Sequence, residues 1–149
     1  MFDTQINIKT TSKKALADLQ TPMHLYLQIR DKFRDTILLE SSDSKNVENN
    51  FSFIAVNAVA GIEIKNLSEF EIKLPNKPAE KKQLENVKLT DLLFEFSNVF
   101  QCEKTSDHIE ETAQSLFGYT SFEAVQFFEK IKLKPQSSVV EIPILRYRL

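Results

Sequence analysis

Between Gly61 and Leu74 the chain runs Ile62-Glu63-Ile64-Lys65, a short polar break, and then Phe70-Glu71-Ile72-Lys73-Leu74. Both runs alternate apolar and charged residues. Successive side chains of a strand point to opposite faces, so each run has one face for a core and one for water. Two such runs joined by a short connection form an antiparallel meander.

Working outward, Phe51-Ser52-Phe53-Ile54-Ala55-Val56 is rich in strand formers, and Thr36-Ile37-Leu38-Leu39-Glu40-Ser41 is a short apolar run. Gln5-Ile6-Asn7-Ile8-Lys9 alternates like an edge strand. The expectation is one antiparallel sheet built from the strands near residues 5, 37, 53, 63 and 72. Helices are expected to begin near Thr21, Thr90 and Ser121. Thr21 can cap a helix with Pro22 at its first position, and Leu25, Ile29 and Phe33 recur along one face. Thr90 would cap a second helix, with Asp91 favourable to its N-terminal dipole and Leu93, Phe96, Val99 and Phe100 as its apolar stripe. Leu116-Phe117-Gly118-Tyr119 reads as a strand turning into a third helix capped by Ser121, and Gly118 marks a bend or a close backbone approach. Pro75 to Glu85 reads as an exposed connection, Ser42 to Asn50 as a polar loop, and Ser138 to Leu149 as strand-like runs around Pro143. The fold class is α+β, an antiparallel sheet with packed helices.

The run from Thr36 to Ser41 poses a physical question. Ile37, Leu39 and Ser41 share one face of the strand, and Leu38 and Glu40 share the other. A buried, unpartnered carboxylate is very costly, so Glu40 must reach water, pair with a base, or meet a cationic ligand. Water or a basic neighbour is the commoner outcome.

The 149 residues are enough for one domain with a core, and a 42% hydrophobic content is ordinary for a globular protein. With 19 basic and 21 acidic residues the net charge is -2, without long blocks of either sign. That gives no electrostatic footprint for nucleic acid or an anionic membrane. A single cysteine, Cys102, precludes an internal disulfide and is expected to pack; no segment has the length of a membrane span, and a cytoplasmic protein is expected. The two glycines, Gly61 and Gly118, leave no glycine-rich phosphate cradle.

His24 and His108 are the only histidines, and neither sits in a metal-ligand motif. Asp107, Glu110 and Glu111 crowd His108 as a solvated acidic face would, and no nucleophile elbow is present. The residues supply no self-contained catalytic or metal site.

Leu16-Ala17-Asp18-Leu19-Gln20-Thr21-Pro22, Leu25-Tyr26-Leu27, Leu38-Leu39-Glu40-Ser41 and Phe51-Ser52-Phe53-Ile54, taken in this order, resemble the N-terminal region of anthranilate synthase component I. Phe117-Gly118-Tyr119, Ala124-Val125 and Phe128-Glu129 are similar to a later segment of that family, so the resemblance covers nearly the whole chain. It implies the N-terminal part of that fold, with a tryptophan site for feedback inhibition. Glu40 would meet the ammonium of tryptophan, Ser41 would hydrogen-bond its polar head, and Leu39 and Pro22 would lie against the indole. The chain differs from many relatives in having Asn49-Asn50-Phe51 where they carry Gly-Arg-Tyr, and Gln114-Ser115 where they carry two glycines.

The family's chorismate site and its magnesium-binding carboxylates belong to a C-terminal catalytic portion that these 149 residues do not include. The chain is therefore expected to be a regulatory fragment, inactive alone. Its expected partners are that catalytic portion and a glutamine amidotransferase component II that delivers ammonia. The parent enzyme would convert chorismate to anthranilate and pyruvate. Two alternatives stand beside this one: the related aminodeoxychorismate synthase component I, and a free-standing amino-acid-binding module.

Overall fold

The computed structural model describes residues 2, 4–40, 51–85, 87–133 and 142–149. In chain order the elements are β1 (Ile6–Ile8), α1 (Pro22–Ile29), β2 (Ile37–Glu40), β3 (Ser52–Ala55), β4 (Gly61–Ile64), β5 (Glu69–Lys73), β6 (Glu80–Gln83) and α2 (Leu89–Asn98). There follow β7 (Phe100–Cys102), α3 (His108–Ala113), β8 (Phe117–Thr120), a 3-10 helix (Phe122–Phe127) and β9 (Leu145–Arg148). Helices and largely antiparallel sheets make this an α+β protein. The chain divides into a larger unit, Met1–Ser12 with Val59–Leu149, and a smaller one, Lys13–Ala58.

The larger unit is built on a five-stranded antiparallel sheet of order β6-β5-β4-β9-β8. The alternation does what its period requires. Ile62, Ile64, Phe70, Ile72 and Leu145 are buried in one core with Leu89, Leu92 and Phe96 of α2 and with Ala124. Burial of each large side chain is worth roughly 1.5–3 kcal/mol, so this face dominates the unit's stability. Phe96 meets Phe2 and Phe100 edge-on, with centroids 6.3 and 5.3 Å away. The intervening positions Glu63, Glu71 and Arg146 stand in register across β4, β5 and β9 on the opposite face.

Among the described residues the single sheet expected from the sequence is instead three. β5 and β9 occupy both edges of β4, so no edge of β4 is left for β3. Among the described residues β2 and β3 pair only with each other, and β1 pairs in parallel with β7. The backbone ladder of that parallel pair includes Ile6 N–H to the Val99 carbonyl (2.8 Å) and Glu103 N–H to the Ile8 carbonyl (3.1 Å).

Three local readings also change. Pro75 to Glu85 contains a strand, β6, whose Lys81 stands opposite Glu71 and whose exposed polar side chains disguised it as a connection. α2 begins one residue before Thr90, with Lys88 at its N-cap, and its stripe stops at Val99 because Phe100 opens β7. Cys102 is exposed at the end of β7 and does not pack. Ser121 does hold the N-cap position before Phe122, although its side chain makes no capping hydrogen bond and the helix is of the 3-10 type.

In the smaller unit Thr21 caps α1 as expected, its hydroxyl accepting from His24 N–H at 3.2 Å, with Pro22 next. The helix ends at Ile29, where Lys32 and Phe33 N–H groups both turn back to the Ile29 carbonyl. Phe33 therefore lies beyond the helix. The covered residues of α1 are Tyr26 and Ile29, both half-buried, while Leu25 is exposed. α1 lies against β3. Asn57, with φ 54°, donates its N–H to the Arg34 carbonyl at 2.8 Å and so closes the β2–β3 pair at the end away from Glu40.

Candidate functional site

Of the residues singled out for a ligand, the described ones, Pro22, Leu39 and Glu40, belong to the smaller unit. In the β2–β3 register Ile37 opposes Ala55, Leu38 opposes Ile54, Leu39 opposes Phe53 and Glu40 opposes Ser52. Directly opposed residues share a face. Leu39 and Phe53 therefore belong to one face, and Glu40 and Ser52 to the other. Leu39 is half-buried, and next to its partner Phe53 the Phe51 ring lies 6.5 Å away, centroid to centroid. That side of the strand end is apolar and aromatic, with Phe51 more than half exposed.

Glu40 is exposed, and among the described residues no hydrogen bond or ion pair engages its carboxylate. Its exposure meets the first of the three outcomes open to it, contact with water. The chain thus places an exposed anion on one face of the β2–β3 ladder at its last pair, Glu40 and Ser52, and an apolar surface on the other face at the adjacent pair, Leu39 and Phe53. Pro22 is exposed at the first turn of α1, the helix that lies against β3. Ser41 and the polar stretch from Ser42 to Asn50 lie outside the described residues.

The two histidines have local employment. His24 Nε2 lies 2.8 Å from the Gln28 side-chain amide one turn on, and His108 Nδ1 lies 3.5 Å from Glu111. Asp107 caps α3 by accepting from Ile109 N–H at 2.8 Å. The acids around His108 thus serve the start of a helix.

The strongest electrostatic cluster went unnoticed in the sequence. Among the described residues Glu63 is the only buried charged side chain, at 5% exposure. Arg146 Nε and Arg148 Nη2 each donate to its Oε2 at 2.8 Å, and Lys65 Nζ lies 3.8 Å from Oε1. Burial alone would raise the Glu63 pKa; the hydrogen bonds from the two arginines, with their charges, outweigh it and hold the carboxyl below the usual range. The sequence held a signal: Arg146 and Arg148 alternate around Tyr147, so a strand there presents both guanidinium groups on one face. What it lacked was the pairing of β9 with β4, across 83 residues. With every charge in the cluster partnered inside the fold, its chemistry is that of a structural ion cluster between two central strands.

Comparison with models of protein families, with curated proteins and with solved structures finds no match.

Proposed function

We propose that this chain is the N-terminal regulatory portion of an anthranilate synthase component I, a cytoplasmic enzyme of tryptophan biosynthesis, and that it contributes to the tryptophan site through which that enzyme is inhibited. The reading rests on the ordered motifs from Leu16 to Ile54 and from Phe117 to Glu129. The observation that carries it is the strand end at Glu40. An exposed carboxylate there, engaged by none of the described residues, ends the ladder one pair beyond Leu39 and Phe53, half-buried apolar residues of the opposite face, with the exposed Phe51 ring beside Phe53. An amino acid with a cationic head and a large flat apolar body matches both halves of that surface.

In this reading Glu40 pairs with the ligand's ammonium, Ser41 hydrogen-bonds its polar head, and Leu39 and Pro22 line the indole. Glu40 and Leu39 leave opposite faces of β2, so the ligand would sit past the strand end, where both faces can be reached. The catalytic portion, which would hold chorismate and magnesium, completes the pocket, and component II supplies ammonia. An inhibitor shifts a conformational equilibrium only by the difference in its affinity for the two states, so a weaker grip on the ammonium at Glu40 translates directly into weaker inhibition.

The test joins this chain to its catalytic portion and measures inhibition curves. Glu40→Gln keeps the shape and removes the charge; Ser41→Ala removes a hydrogen bond. Loss of a charge-assisted hydrogen bond is worth roughly 1.5–3 kcal/mol, a weakening of tryptophan binding by about ten- to a hundredfold. Activity without tryptophan is expected to survive, and the 149 residues alone are expected to form no anthranilate from chorismate, magnesium and ammonia. Unchanged tryptophan sensitivity in both variants would return Glu40 to the role of a solvated strand end.

A further inference from the structure

The N-terminal strand β1 is tied to β7 by its ladder as far as Ile8, whose carbonyl accepts from Glu103 N–H. Five residues later the chain passes into the smaller unit at Lys13. Beyond that point it is exposed and irregular up to Thr21; Leu16 and Leu19 are 90% and 94% exposed. A chain in that state is held only by whatever grips it last.

What grips it is Glu110, in the first turn of α3. Ser12 Oγ donates to Glu110 Oε1 at 2.7 Å, and Thr105 Oγ1 donates to Oε2, also at 2.7 Å. The Thr105 hydroxyl in turn accepts from Asp107 N–H at 3.1 Å, and Asp107 caps α3. Both oxygens of one carboxylate are thus engaged by hydroxyls, one of them 98 residues away in sequence. The second is locked by the same turn that starts the helix. Hydrogen bonds to an ionised acceptor are the stronger kind.

We infer that Ser12, Thr105 and Glu110 form a clasp that fixes the point at which the chain leaves the larger unit, so that the free segment begins at Lys13. The clasp is independent of the tryptophan reading. The carboxyl of Glu110 is accordingly held below the usual range, first by the Ser12 hydroxyl, then by that of Thr105, with the Ser12 N–H adding to them. Opening the clasp lengthens the free segment back toward the end of β1, and local openings of this kind set the rate at which a protease finds its bond.

Limited trypsin digestion of the whole chain, with mass-spectrometric timing of each cut, tests this. Ser12→Ala removes one hydroxyl and leaves α3 unchanged in sequence, while Glu110→Ala removes the acceptor. Both are expected to speed cleavage after Lys9 and Lys13 several-fold while cleavage after Lys130, exposed in the same unit, keeps its rate. A carboxyl titration by NMR is expected to show the Glu110 midpoint rising toward the ordinary value in Ser12→Ala. Unchanged cleavage after Lys9 and Lys13 in Ser12→Ala, an equal acceleration at Lys130, or an unmoved Glu110 midpoint would each overturn the clasp.

Discussion

A β-carbon added at Gly118 would run into the Arg146 carbonyl oxygen and lie 2.8 Å from Tyr147 Cα. Both obstacles are backbone of the paired strand β9, which cannot swing aside as a side chain can. Gly118→Ala should therefore force β8 off β9 and lower stability by at least about 2 kcal/mol. At Gly61 the nearest obstacles are Arg148 side-chain atoms at 2.7 Å, which can move, with the Tyr147 carbonyl oxygen at 2.9 Å behind them. Gly61→Ala is expected to cost less than Gly118→Ala, about 1–2 kcal/mol, since only one of its obstacles is backbone and a better strand former offsets part of the crowding. Chemical denaturation of the two variants, followed by far-ultraviolet circular dichroism, checks the order; an inverted order would mean that β8 and β9 are not packed this closely. Gly118 was legible as a close approach because glycine has few other reasons to interrupt a strand. The identity of its neighbour was not.

The pairing of β4 with β9 decides the behaviour of Glu63. Its pKa in the folded chain lies below the ordinary 4.5, so its charged form favours folding. That contribution is whole above pH 4.5 and is lost as pH falls through the depressed folded value. Glu63→Gln keeps the shape but leaves two guanidinium groups without their buried anion. With Arg146 nearly half exposed and able to turn to water, the loss is expected to be about 1–3 kcal/mol at neutral pH. The acid limb of a stability-against-pH curve should also become shallower in the variant. An acid limb identical to that of the unsubstituted chain would show that Glu63 is not what protonation attacks. Elements with one apolar face, such as β4 and β5, were visible from their period. β6 was not, because at the sheet edge its four residues are all polar and so resemble a loop, and α2 ends earlier than its stripe because Phe100 continues the stripe in sequence while the backbone has already turned.

Across the whole molecule the fully buried side chains are unevenly shared. Every buried apolar residue among those described belongs to the larger unit; the described residues of Lys13–Ala58 are half-buried at best. Stability follows burial, so the smaller unit should open more readily. Native-state amide exchange is expected to show β2 and β3 exchanging well before β4, β5 and β9, and uniform protection across the two groups of strands would contradict this. Among the described residues no helix is long and apolar enough to cross a membrane.

Period and capping chemistry are local properties, and from them the chain alone determined its α+β class, the start of α1 at Thr21-Pro22, the strands around Ile37, Phe53, Ile62, Phe70 and Phe117, and the carboxylate that ends the first of these. Which strands become neighbours is not local. A two-residue period says which face of a strand is buried but nothing about which strand lies beside it, and so β9 between β4 and β8, β1 beside β7, and the isolation of β2 with β3 were settled only by tertiary packing. The same limit explains the two carboxylates. Glu40 and Glu63 each follow an apolar residue in a strand, yet one ends in water and the other beneath two arginines, because the partners of Glu63 stand on β9, 83 and 85 residues further along the chain.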